Sequence, residues 1–291
     1  MVVAMSWLTH QGRAVPVRTA APGTWHGSKR RLAAAVVFGC LSVGAWLASV
    51  GAVSGMEMGS RFSVGSLGFF VVLWVMMMAA MMFPSVWPAV AMYGLVIRRR
   101  VSAGAHPIVY SAMFVAGYLT SWAAFGLLAF GLLAIGRAVG LESLPAAELS
   151  RYVVGPVCLA GALYQLAPVK QACLRHCRGP LSFFLEHWRD GTRGALVMGA
   201  RHGVYCVGCC WMLMLVLLAL GVMSIAWMVV VSFAIAVEKL VPATWARFAS
   251  GLVVVGLASL ALVALVKPTW LPGVDGMGRG GGMDGARPLM K

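Results

Sequence analysis

Charge is scarce in this chain. Only 11% of its 291 residues are charged, and only 8 are Asp or Glu. A soluble domain carries about a quarter charged residues, so a water-facing globular surface is excluded. No Gly-rich phosphate loop, no pair of carboxylates inside an apolar run and no Ser-His-Asp set at a workable spacing is present. Nucleotide-driven and triad chemistry therefore have no carrier. Residues 1–31 are not expected to act as a cleavable leader, because they hold neither an apolar core of the usual length nor a small-residue cleavage site before Lys29. The 7 cysteines do not form a disulfide framework. Cys40 and Cys158 lie in apolar runs, and Cys173 and Cys177 fall in a basic segment expected on the reducing, cytosolic side.

What is present is apolar. Hydrophobic residues make up 61% of the chain, and mean hydropathy is +0.88. Several runs exceed about 18 residues, enough to cross a hydrocarbon core about 30 Å thick. The fold class expected is all-α: a polytopic membrane helix bundle of about seven transmembrane helices, with the lipid bilayer as its solvent. The formal charge of +15 does not imply nucleic acid, because the basic residues cluster at the ends of apolar runs, where they set orientation.

The spans expected are about Leu32–Val53, Ser66–Ile97, Pro107–Ile135, Tyr152–Pro168, Gly194–Leu220, a sixth ending near Glu238-Lys239, and Ala246–Val266. Residues 32–266 form the transmembrane domain. Residues 1–31 are expected as a cytosolic tail, and residues 267–291 as a disordered Gly-rich tail. Lys29-Arg30-Arg31, Arg98-Arg99-Arg100, the basic connection Val169–Arg193, and Lys239 with Arg247 alternate with poorly basic segments. The positive-inside rule then places the N-terminus in the cytosol and the C-terminus outside.

Three clusters carry chemistry. The stretch Gly199 to Met214 reads Gly-Ala-Arg-His-Gly-Val-Tyr-Cys-Val-Gly-Cys-Cys-Trp-Met-Leu-Met. At about 100° per residue, Met198, His202, Cys206 and Cys209 share an arc of roughly 80°, with Cys210 at its edge. Thiol, imidazole and thioether are borderline-to-soft ligands, suited to copper(I) or zinc and not to magnesium or calcium. Packing by cysteine as a small hydrophobe is the alternative. Gly199 and Gly203 also allow another helix to approach closely.

The second cluster is Met76-Met77-Met78-Ala-Ala-Met81-Met82-Phe-Pro84. Met78, Met81 and Met82 share a face at i, i+3, i+4. Pro84 takes away the hydrogen bond that would have reached the carbonyl of Ala80. Such a gap inside a membrane must be filled or must line a cavity. The third cluster pairs Cys173 with Cys177 at i, i+4 beside His176. It is expected as a cytosolic exchange point for a soluble metal carrier, or as a basic helix lying on anionic lipid.

At these residues the chain resembles the bacterial family of predicted metal-binding integral membrane proteins, sometimes labelled copper chaperone. The resemblance rests on Trp74 with Met77 to Pro84, Tyr164 to Lys170, Cys173 and Cys177 to Pro180, Gly203 with Cys206 to Trp211, and Glu238-Lys239. It implies a multi-pass membrane protein with a metal site. The function expected is soft-metal binding for delivery, export or metalloenzyme assembly. His202, Cys206, Cys209 and Cys210 would be ligands, Met78, Met81 and Met82 would complete or relay, and Cys173 and Cys177 would exchange. The alternatives are a thiol oxidoreductase using Cys206 and Cys209, or a non-catalytic subunit of a membrane complex.

Overall fold

A computed structural model describes residues 26–54, 66–100, 106–220, 224–242 and 244–267. Every regular element among them is helical: α1 (His26–Ser54), α2 (Leu67–Arg100), α3 (Pro107–Ala138), α4 (Ala146–Leu149), α5 (Gly155–Leu166), α6 (Pro168–Arg178), α7 (Pro180–His187), α8 (Gly191–Leu220), α9 (Ile225–Leu240) and α10 (Ala246–Val266). A 3-10 turn at Leu141–Ser143 and a π turn at Ser150–Val154 join α3 to α5 through α4.

The all-α class holds. The helices α2, α3, α8 and α10 are long and apolar enough to cross a bilayer, and α5 with α6 would supply a fifth crossing if the bent pair counts as one. The apolar helical part of α1 is Ala35–Gly51. The 16 residues of α9 reach about 24 Å, short of a hydrocarbon core about 30 Å thick. Among the described residues, length and composition alone identify four crossings, or five with the bent pair. The outer surface is rich in large apolar side chains, Ile108, Leu128 and Phe233 among them.

Of the expected tails, residues 1–25 and 268–291 lie outside the described residues, and α1 already begins at His26. Residues 221–223 of the expected hairpin before Ser224 also lie outside them.

The polar connection expected over Val169–Arg193 is helical for most of its length. It holds α6, α7 and the first turn of α8. Proline placement explains this. Proline suits the first turn of a helix and pushes the residue before it out of the helical region. Ala167 accordingly has φ −65° and ψ 135°. The chain bends by 66° between α5 and α6. Gly179-Pro180 makes the next break, between α6 and α7. Pro84 and Pro88, by contrast, sit inside α2 without ending it. The carbonyl of Ala80 freed by Pro84 accepts the Ser42 hydroxyl of α1 at 2.6 Å, so the gap in the ladder is filled by a neighbouring helix.

The closest seam is α3 against α8. A Cβ at Gly199 would overlap the Phe114 carbonyl, one at Gly117 would overlap the Leu196 carbonyl, and one at Gly203 would come 2.8 Å from the Ser121 side chain. Ser121 also donates to the Ala200 carbonyl at 2.8 Å. The small-residue stripe on α8 therefore meets its partner, α3, backbone to backbone.

Gly199→Ala should lower the stability of the detergent-solubilised protein by about 1–3 kcal/mol, because its new methyl meets backbone that cannot move aside. Gly256→Ala, with nothing within 4 Å of its Cβ, should be neutral or slightly stabilising. Thermal midpoints of the two variants against the parent chain decide the point.

Candidate metal centre

The α3–α8 seam sets one wall of the site. It brings the Tyr118 hydroxyl of α3 to 3.0 Å from Cys206 Sγ of α8. One turn earlier on α8, the His202 ring lies among Phe114, Tyr118 and Phe183, with ring centroids 5.8, 6.2 and 5.1 Å away. His202 is buried, and its Nδ1 has no hydrogen-bond partner among the described residues. An imidazole held by apolar rings with an unmet nitrogen is a poor core residue and a competent ligand.

The other wall is α6, folded back by the bend at Ala167-Pro168. It carries Cys177, whose Sγ lies 4.0 Å from Cys209 Sγ. Cys177 was expected in a separate cytosolic cluster; it stands instead beside the α8 thiols. The fold-back is held by charge. Lys170 Nζ reaches both carboxylate oxygens of Glu238 at 2.7 Å, with 1% and 2% of the two side chains exposed. The Arg178 guanidinium also donates to the Glu238 carbonyl, through Nε at 2.6 Å and through Nη2. Both ends of α6 are thus tied to one residue of α9. On α8, Cys209 and Cys210 donate back to the Cys206 carbonyl at 3.1 and 2.9 Å.

The third wall comes from α9 and α2. Lys239, adjacent to Glu238, points elsewhere because neighbouring residues on a helix lie about 100° apart. Its ammonium reaches Cys206 Sγ at 3.0 Å, Ser85 Oγ at 3.4 Å and Met82 Sδ at 3.7 Å. An ammonium has three N–H donors and no acceptor, and here three acceptors surround it. Lys239 is buried, with no carboxylate in ion-pair range among the described residues. The methionine helix and the cysteine helix meet on this ammonium. Ser85, Val86, Tyr118, Cys177, His202, Cys206 and Lys239 line one narrow void.

The expected residues divide accordingly. Cys177, Cys206 and Cys209 converge, and His202 lines the same void. Cys210 is buried beside them, with its thiol on its own helix. Met82 reaches the site through Lys239. Met78 and Met81 are fully buried on the same face of α2, and the turn at Met81 abuts α9, where Ser232 donates to its carbonyl at 3.3 Å. Cys173 lies against Gly208, where a Cβ would come within 2.8 Å of its sulfur. Among the described residues, no three His, Cys, Asp or Glu side chains stand together as a ready metal cage.

A family profile described as PpoB2, copper chaperone, matches residues 71–265. The chain belongs to this family. No curated protein and no solved structure matches it. In this copper-chaperone family member the matched region runs from α2 into α10 and so contains every wall of the site. The resemblance seen in the sequence is thereby borne out.

Sequence reasoning noted Lys239 only as part of the Glu238-Lys239 pair, without a place among the thiols, and passed over Tyr118 and Ser85. The signal for Lys239 was available: two opposite charges adjacent on an apolar helix cannot pair with each other, so each must have a partner elsewhere. For Tyr118 and Ser85 no signal existed, because their roles depend on which helices become neighbours.

Glu238→Gln in this copper-chaperone family member should cost about 3–5 kcal/mol, since Lys170 is left buried and unpaired. Lys170→Met with Glu238→Leu should lose much less than that. Unfolding of both variants in detergent measures the difference, and equal losses would remove the pair from its structural role.

Proposed function

We propose that the chain is a multi-pass inner-membrane protein, N-terminus in the cytosol, that takes up copper(I) and passes it on by ligand exchange. One observation carries the reading: two cysteine sulfurs from separate helices, 4.0 Å apart, in a part-buried site. Sulfurs at that separation can each lie about 2.3 Å from a single soft ion. Zinc is the weaker candidate, because structural zinc takes about four protein ligands. Copper(I) is selected by thiolate and thioether donors, and a description as copper chaperone attaches to the family.

In this reading Cys177 and Cys209 hold the ion first, with Cys206 and His202 lining the void beside Cys177 to receive it and Met82 next in line across Lys239. Cys210, Met78 and Met81 back these groups, and Cys173 keeps α6 seated on Gly208. Metal binding needs deprotonated thiols. Two thiolates with copper(I) carry one net negative charge, which the Lys239 ammonium balances. A buried pair of thiolates without that cation would carry a large desolvation cost. Partners that fit are a soluble copper carrier at the α6–α7 end and a membrane complex that receives the ion.

Anaerobic loading with copper(I), followed by elemental analysis of the detergent-purified protein, tests the proposal. The parent chain should retain copper, Cys209→Ser and Cys177→Ser should each lose most of it, and Cys40→Ser should match the parent. A parent chain that retains no copper overturns the reading, and a reversible disulfide in its place would favour the thiol oxidoreductase. Lys239→Met should weaken copper(I) retention about tenfold or more while Lys239→Arg keeps it, as expected for a fixed charge at close range. Competition with a copper(I)-selective chelator reads that ratio.

A further inference from the structure

Two histidines at the α6–α7 end are absent from the site described above. His176 Nδ1 bonds the Ala172 carbonyl at 2.9 Å, and His187 Nδ1 bonds the Phe183 carbonyl at 3.1 Å. A carbonyl oxygen only accepts, so Nδ1 is the protonated nitrogen in both rings. In the neutral ring this leaves Nε2 with a free lone pair. Metal-ligating histidines are oriented in this way, by a backbone carbonyl on the far nitrogen.

The two rings stand on successive helices with centroids 6.4 Å apart. An ion about 2.0–2.1 Å from each of two ring nitrogens fits between imidazoles at that spacing. Both rings are half-buried, and each is braced by stacking, His176 on Tyr205 at 4.2 Å and His187 on Phe183 at 5.1 Å. His176 directly precedes Cys177, whose sulfur faces Cys209.

We propose that His176 and His187 form a second copper(I) site, a loading port from which the ion passes to Cys177 and Cys209. The proposal rests on the copper reading of the buried thiols. Copper(I) keeps its charge and oxidation state throughout. Copper–nitrogen bonds break as copper–sulfur bonds form, and the thiol protons leave to water at the half-exposed mouth.

The test uses the full-length protein in detergent, loaded anaerobically with copper(I). His176→Phe with His187→Phe keeps both ring stacks and removes both nitrogens. The parent chain should bind a weaker equivalent beyond the thiol-bound one, with nitrogen ligation visible by X-ray absorption. The double variant should lose that equivalent and fill its thiols at least about tenfold more slowly, with the same final thiol-bound copper. His176→Gln with His187→Gln repeats the measurement should the Phe variant fail to fold. A variant that retains the weaker equivalent and the parent rate overturns the port. A parent chain without copper overturns the thiol reading instead, so the two failures are distinct.

Discussion

An ammonium and a carboxylate cannot be left unpaired inside an apolar bundle, and Lys170 and Glu238 satisfy that requirement with each other, at 2.7 Å and almost wholly out of solvent. Much of the architecture follows from this contact. Lys170 stands near the start of α6, just past the bend at Ala167-Pro168, and Glu238 stands near the end of α9. Joining them fixes where a short helix with a polar face lies within a group of long apolar ones. It is this placement that carries Cys177 to Cys209. Once the Glu238 carboxylate is committed to Lys170, the neighbouring Lys239 has no carboxylate to turn to, and it faces sulfur.

The α3–α8 seam works on the same site from the opposite side. Glycine at 117, 199 and 203 lets two backbones touch, and the reward is positional rather than chemical. Tyr118 arrives at Cys206, and His202 is enclosed by rings. The proline breaks contribute in a third way. Pro168 and Pro180 cut what reads as a polar connection into two short helices, and the second supplies Phe183 and His187. Rigid elements thus deliver every donor around the thiols. The proposed passage of a soft ion needs such pre-placed donors, because each exchange is fast only when the next ligand already stands within reach.

Much of this was legible in the residues themselves. The apolar runs gave helices at the expected places, and the Gly199/Gly203 stripe marked a close helix approach. The carbonyl stranded by Pro84 found the partner it required in Ser42. One expectation was refined for a physical reason. The segment after Pro168 reads as a polar connection because polar residues dominate its composition, yet four of its residues are spent inward or on backbone rather than in water: Lys170, Cys177, Arg178 and His187. The 16 residues of α9 are also few for a full hydrocarbon core.

Local chemistry and periodicity, which are properties of neighbouring residues, settled the helices, the soft-donor inventory, the seam on α8 and the gap at Ala80. Which donors meet was decided only by the tertiary structure. Cys177 and Cys209 are 32 residues apart, and Lys239 and Met82 are 157 apart; no period along the chain encodes those pairings. They follow from how buried charges find partners across helices, and that depends on the packing of the bundle as a whole.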